Sequence, residues 1–258
     1  MIPELFSDAQ VAELERNSQY RNSDPVCPTC HGANEYRFRG NTYQCECHPF
    51  YGHTQRRLFK LYCLANIPKE HMQLLWQDYP SLSVKTLVEN YIGHWQSALD
   101  NGMGLGLYGS FGTGKTWAGV KVLKEMALQG NSCWFIPFHQ LRANYRKEDD
   151  EQRFIKRKML ESQFLMIDDI TEPLMGERQK HFYEDQLEEV IRTRAHMNFP
   201  TITTTNMSAQ DLQDYYPRVA TIFSGKQMVI NLGGRDFRPQ ARETRLDIME
   251  RNEVIPIE

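Results

Sequence analysis

Apolar residues recur at three- and four-residue intervals at Val84, Leu87, Val88, Tyr91, Trp95 and Ala98. That spacing lines one stripe of an α-helix and predicts a helix over 83–99. Downstream the pattern changes. Short apolar runs at Leu105–Tyr108, Ser132–Ile136 and Phe164–Ile167 read as buried strands, as does the β-branched run Thr201–Thr205. Gln227–Leu232 is a further strand. Longer mixed stretches lie between them: 115–129, ending at Gly130, then the charged stretch 139–160, then 177–197. Strands alternating with helices predict an α/β fold in which a parallel sheet is covered on both faces.

The first part of the chain follows another rhythm. Ser7 with Gln10 marks a helix start and predicts a short polar helix to about Arg16. Residues 17–26 are polar and read as loop. A cysteine-rich module comes next, followed by the basic stretch Arg56-Arg57-Leu-Phe-Lys60. Asn66-Ile-Pro68 interrupts the chain and sets the expected boundary between residues 1–66 and 67–258. No internal repeat or low-complexity tract is evident.

Composition narrows the picture. A chain of 258 residues with 40% hydrophobic and 24% charged residues is ordinary for a globular protein. Its formal net charge of −3 supplies no overall attraction to nucleic acid, so a polyanion site would have to be a local patch. No apolar run is long enough to span a bilayer, and the start MIPELFSDAQVAELER lacks the apolar core of a signal peptide. The expected compartment is the cytoplasm, with no membrane partner.

The chemistry is concentrated in a few motifs. Gly109, Ser110, Phe111, Gly112, Thr113, Gly114, Lys115 and Thr116 form a full P-loop between a strand and a helix. The glycines let successive backbone N–H groups face phosphates, and the following helix presents its positive end. Lys115 is placed to reach the β- and γ-phosphates of ATP, and Thr116 to put its hydroxyl on Mg²⁺. The apolar strand Phe164–Ile167 ends in Asp168 and Asp169. There Asp168 would hold Mg²⁺ and Asp169 would orient or deprotonate water. Asn206 closes the run Thr201-Ile-Thr-Thr-Thr and can position water against the γ-phosphate, or simply open a polar loop. Arg218 and Arg238 flank the strand 227–232, and either can stabilise charge on a transferring phosphoryl group.

Four of the six cysteines, Cys27, Cys30, Cys45 and Cys47, fall in one short stretch. In a reducing compartment such a cluster indicates metal ligation, and four thiolates suit a tetrahedral structural Zn²⁺. His31 or His48 could replace one thiol. Residues 35–44 between the pairs read as a hairpin turning at Gly40-Asn41. Cys63 and Cys133 are isolated and are expected as core filler.

These motifs together resemble the AAA+ replicative helicase loaders of the DnaC/DnaI type and the related IstB transposition ATPases. The resemblance covers roughly residues 25–240 and rests on GSFGTGKT, FLMIDDI, FPTITTTN and Arg218 followed by GGRDFR. Leu64-Ala-Asn-Ile-Pro-Lys69 looks like the junction in loaders that carry an N-terminal zinc module. The resemblance implies a P-loop ATPase core built on a parallel five-stranded sheet of order 5-1-4-3-2, with a reduced helical lid. It implies Asn206 as sensor I, Arg218 as a finger acting in trans and Arg238 as the sensor II arginine. The second acid, Asp169, stands where many AAA+ proteins have Glu, and Tyr216-Pro-Arg218-Val departs from the usual finger box.

The implied partners are a hexameric replicative helicase, held by the N-terminal module, single-stranded DNA, and further copies of the chain in an AAA+ oligomer. For DNA, Leu141–Lys147 and Arg153–Lys158 place cations around Tyr145 and Phe154, a mixture suited to single strands. The intervening Glu148–Glu151 fits a solvated helix face equally well. The competing functional readings are an IstB-like ATPase that recruits a transposase and a zinc-containing adaptor switched by ATP with little turnover. The zinc assignment has a direct check. Purified protein should carry about one Zn²⁺ per chain by elemental analysis, as a four-thiolate site requires. Cys27→Ser combined with Cys45→Ser should remove it, and stoichiometric zinc in that variant would exclude the site.

Overall fold

The computed structural model describes residues 35–45, 54–144, 150–173, 177–251 and 253–255, with side chains undescribed at 54–57, 142–144 and 177–183. Residues 81–235 make one compact unit, and the described residues before Ser81 cluster with those after Arg235 in a second.

The second unit holds a hairpin of β1 (Glu35–Phe38) and β2 (Asn41–Gln44). Its turn falls on Arg39 and Gly40, one residue earlier than expected, and both have positive φ, 51° and 80°. Two left-handed residues match the twist of the flanking strands, and glycine takes the second position without strain. The N–H groups of Arg39 and Gly40 both donate to the Glu253 carboxylate, so the turn is capped from the far end of the chain. Tyr36 and Tyr43 face each other across the strands with ring centroids 5.6 Å apart. Helix α1 (Thr54–Leu64) and the single turn α2 (Lys69–Met72) follow, with Tyr62, Ile67 and Met72 fully buried.

The first unit opens with α3 (Leu82–Gly93), capped by Ser81, and α4 (Trp95–Asn101). The single expected helix is therefore two, parted at His94, where φ is −110° and ψ 22°. Val84, Val88 and Tyr91 are buried as the periodicity requires, whereas Leu87 remains 45% exposed. Then come β3 (Gly104–Tyr108), α5 (Lys115–Leu128), β4 (Cys133–Pro137), α6 (Phe138–Asn144), α7 (Asp150–Glu161), β5 (Phe164–Ile170), α8 (Glu177–His196) and β6 (Thr201–Thr205). Helices α9 (Ala209–Tyr215) and α10 (Pro217–Lys226) lead to β7 (Gln227–Asn231). In the second unit α11 (Arg238–Glu250) follows. Helices α9, α10 and α11 were not read from the pattern. The signals for the first two are nevertheless present, a reciprocal cap between Ser208 and Asp211 and a proline at the first position of α10.

All neighbouring strands in the main sheet are parallel, in the order β4-β5-β6-β3-β7. Numbered along the sheet's own strands this is 5-1-4-3-2. Alternate residues serve opposite faces. Leu165 and Ile167 join Trp134, Ile136, Leu187, Val190 and Val219 in one core. Met166 meets α5 on the other face at Gly119, where a Cβ would come within 2.6 Å of its methyl group.

Arg194 anchors the amino-terminal edge of the sheet. It is fully buried, and its guanidinium donates to Met159 O, Ser162 O, Gln163 O, Pro200 O and Thr201 Oγ1 at 2.7–3.2 Å. One side chain thus ties the end of α7 to the starts of β5 and β6. Burial lowers its pKa to about 9, which leaves it charged at neutral pH. Arg194→Met should destabilise the chain by roughly 3–5 kcal/mol, comparable to breaking a buried ion pair, because several acceptors lose their donor at once. A chemical-denaturation midpoint equal to wild type would contradict this role.

Candidate functional site

Apart from Arg218, the expected site residues of the first unit meet at the carboxyl edges of β3, β5 and β6, where ligands bind in open parallel sheets. β3 runs into the phosphate loop. Gly109 has φ 145°, and a Cβ there would lie 2.3 Å from Leu232 O, so only glycine permits this approach. Gly114, at φ 86°, caps α5 without any side-chain bond to the helix's first N–H groups. Thr113 braces the loop by donating to Ser110 O at 3.0 Å. Lys115 is buried, and its ammonium donates to Gly109 O and Ser110 O at 3.0 and 2.6 Å. Phe111 stands 63% exposed at the tip.

The acid pair sits on a bulge. Ile167 pairs with Thr203 and Ile170 with Thr205, so Asp168 and Asp169 together oppose the single residue Thr204. Asp169 is left-handed, φ 59°, a conformation that costs a non-glycine residue about 1–3 kcal/mol. Asp168 Oδ1 accepts from Thr116 Oγ1 at 2.9 Å and from Thr204 Oγ1 at 2.8 Å. Thr204 Oγ1 in turn accepts the Asp169 N–H at 2.8 Å. Asn206 Nδ2 donates to Asp169 Oδ1 at 3.0 Å, and Asn206 Oδ1 is buried with no hydrogen-bond partner. Burial raises the Asp168 pKa above its ordinary value; the hydroxyls of Thr204 and Thr116 and the charge on Lys115 oppose that, while Asp169 adds to it.

A hard oxygen set of one carboxylate and one hydroxyl beside a phosphate loop fits Mg²⁺, which takes few protein ligands and completes its shell with phosphates and water. Thr116 and Asp168 would hold it. Among the described residues no group of three or more His, Cys, Asp or Glu could hold a metal ion. Cys27, Cys30, Cys47, His31 and His48 lie outside the described residues, while Cys45 is buried directly after β2.

Arg218, at the start of α10, is caged by α8. It lies 3.3 Å from Glu184 Oε2, 2.7 Å from Asp185 Oδ1 and 2.7 Å from Glu188 Oε2, and these partners raise its pKa. Arg238 belongs to the other unit, where it opens α11 and its N–H donates to Asp236 Oδ1 at 2.9 Å. The α7 cations are engaged too: Arg153 with Asp150, Lys156 with Glu189 and Arg157 with Glu161. Phe154 packs edge-on against Trp134, so the buried-aromatic alternative describes α7 better than a stacking platform. Tyr145 lies outside the described residues. Sequence reading missed Thr204 and Arg194. The run of threonines before Asn206 hinted at the first, and nothing in the sequence marked the second.

With this geometry in place, the comparisons fall into line. No protein-family model matches the chain, and no curated protein matches it in sequence. Solved structures do. A crystal structure of DnaI superposes with a TM-score of 0.54 at 20% identity, over 64% of this chain and 94% of that one. The DnaC helicase loader superposes at 0.53 and 20% identity, over 64% of this chain and all of that one (100%). The replication initiator DnaA bound to AMPPCP and single-stranded DNA gives 0.53 at 15% identity, over 71% and 56%. The chain shares the fold of these structures. No described helix is long and apolar enough to cross a membrane.

Two substitutions separate binding from chemistry at this site. Lys115→Ala should weaken ATP binding about 10- to 100-fold, the loss of a charged hydrogen bond or more, by fluorescent-nucleotide titration. Asp169→Asn should keep that affinity while turnover falls by about 100-fold or more, as removal of a general base does. Normal turnover in Asp169→Asn would overturn the assignment of the second acid.

Proposed function

We propose that this chain is an ATP-hydrolysing loader of a hexameric replicative helicase, acting on single-stranded DNA in replication. The observation that carries the reading is the bonded chain from Thr116 through Asp168 and Thr204 to Asp169 and Asn206, set on a sheet that superposes on DnaI and DnaC. The N–H groups of the loop and Lys115 hold the phosphates of ATP. Thr116 and Asp168 would hold Mg²⁺, which would supply neutralisation of phosphate charge. Asp169, with Oδ1 fixed by Asn206, takes the proton of the attacking water through its exposed carboxylate. Arg218 completes the site of a neighbouring copy as a finger, and Arg238 serves as sensor II.

Zn²⁺ on Cys27, Cys30, Cys45 and Cys47 would shape the N-terminal module that grips the helicase, and the compartment is the cytoplasm. The DNA contact is best placed on α11. Arg242 and Arg245 are exposed there, one turn apart, and have no acid three or four residues away to pair with. Arginines one turn apart can follow a phosphate backbone.

Full-length protein should capture the replicative helicase of its own cell and hydrolyse ATP faster with single-stranded DNA. Arg242→Glu with Arg245→Glu should abolish that stimulation and spare basal turnover. Capture of a transposase, with stimulation by duplex DNA, would move the chain to the IstB-like reading. Absence of turnover under every condition would leave an ATP-switched adaptor.

A further inference from the structure

The bulge in β5 places two acids opposite one residue, and that residue is bonded to both. Thr204 is buried, donates its hydroxyl proton to Asp168 Oδ1 at 2.8 Å and accepts the Asp169 N–H at 2.8 Å. We infer that Thr204 is a positioning residue that locks the two acids into one working pair, a role that rests on the ATPase reading. The chemistry requires a single hydroxyl in both capacities. A carboxylate only accepts and a backbone N–H only donates, so a side chain lying between them must donate one way and accept the other.

The two bonds have different consequences. On a regular strand successive side chains point to opposite faces, which would part the carboxylates of Asp168 and Asp169. The left-handed backbone at Asp169 breaks that alternation, and the bond from its N–H to Thr204 opposes relaxation to extended geometry. The bond to Asp168 works on the other acid. It occupies the same oxygen that Thr116 uses, which fixes the carboxylate's rotation and leaves Oδ2 clear of both hydroxyls. Asn206, two residues on and directly after β6, finds Asp169 Oδ1 within 3.0 Å. The carboxyl end of β6 and the residue after it therefore supply a positioning hydroxyl and a positioning amide to adjacent acids.

Valine matches threonine in shape and lacks the hydroxyl, so Thr204→Val removes both bonds with little change in packing, and Thr204→Ser keeps both. The measurements use the full chain. Turnover in Thr204→Val should fall about 10- to 100-fold, the usual loss for an outer partner of a metal ligand. Fluorescent-ATP affinity in EDTA should stay within about twofold of wild type, while the gain in affinity on adding Mg²⁺ is lost. Thr204→Ser should restore both. Combined with Asp169→Asn, Thr204→Val should lower turnover less than the product of the two single losses, because part of the Thr204 effect runs through the placement of Asp169.

Equal losses in the serine and valine variants would overturn the role of the hydroxyl. So would a Thr204→Val protein that keeps the wild-type response to Mg²⁺. Multiplicative losses in the double variant would remove the link to Asp169. A wild-type protein without turnover would refute the ATPase reading instead, and the Mg²⁺ response would still judge Thr204.

Discussion

Asp168 Oδ1 is where three elements of the core are fastened together. It receives one hydroxyl from the first turn of α5 and another from the penultimate residue of β6, while its own backbone lies in β5. Such bonding is possible only because the sheet order sets β5 beside β6 and β6 beside β3, which leads into the phosphate loop. The oxygen is held at a cost, since burial disfavours the charged carboxylate. Hydrogen bonds to a charged group contribute roughly 1.5–3 kcal/mol each, enough for two of them to offset much of that penalty. Lys115, close enough to be felt electrostatically, reduces it further. A divalent cation would reduce it most, so the arrangement favours the ligand for which its chemistry is suited.

The opposite edge of the sheet is fastened by a cation. Arg194 reaches five oxygens on three segments, and none of its bonded acceptors is a carboxylate. A planar fork with five N–H donors can satisfy several carbonyls at once, which a lysine could not. It fixes where β5 and β6 begin. Because strand register is carried rigidly from one end to the other, the same contact helps decide that Thr204, rather than Thr203 or Thr205, lies opposite the acids. A slip of one residue would turn every side chain to the other face.

Charge outside the sheet is distributed in a similarly particular way. Arg153, Lys156 and Arg157 of α7 are paired with acids on α7 and α8, and Arg218 sits among three carboxylates of α8. Glu184 and Glu188 are largely withdrawn from water, so moving Arg218 away would cost each of them one charged partner. On α11 the acids lie off the arginine stripe, and Arg242 and Arg245 have no ion-pair partner among the described residues.

Local chemistry made part of this protein legible in its sequence. The phosphate loop needs particular glycines, one lysine and one threonine in a row, and the alternation of short apolar runs with longer mixed stretches already implied a parallel sheet. Strands β3 to β7 and helices α5 and α8 lie where those patterns put them, within a few residues. The acids were legible because they end an apolar run, and Asn206 because it closes a β-branched one. Other features depended on partners far along the chain. The stripe over 83–99 persists across the break at His94, because apolar spacing records which side faces the core and not whether the backbone bonds are continuous. The hairpin turn moved one residue, since Arg39 and Gly40 are held by Glu253. Arg194 reads in sequence as one more charged residue on a long helix, and Thr204 as one β-branched residue among four threonines. Their roles were decided by tertiary structure alone, because a hydrogen bond across a bulge or into a buried edge is set by register and distance.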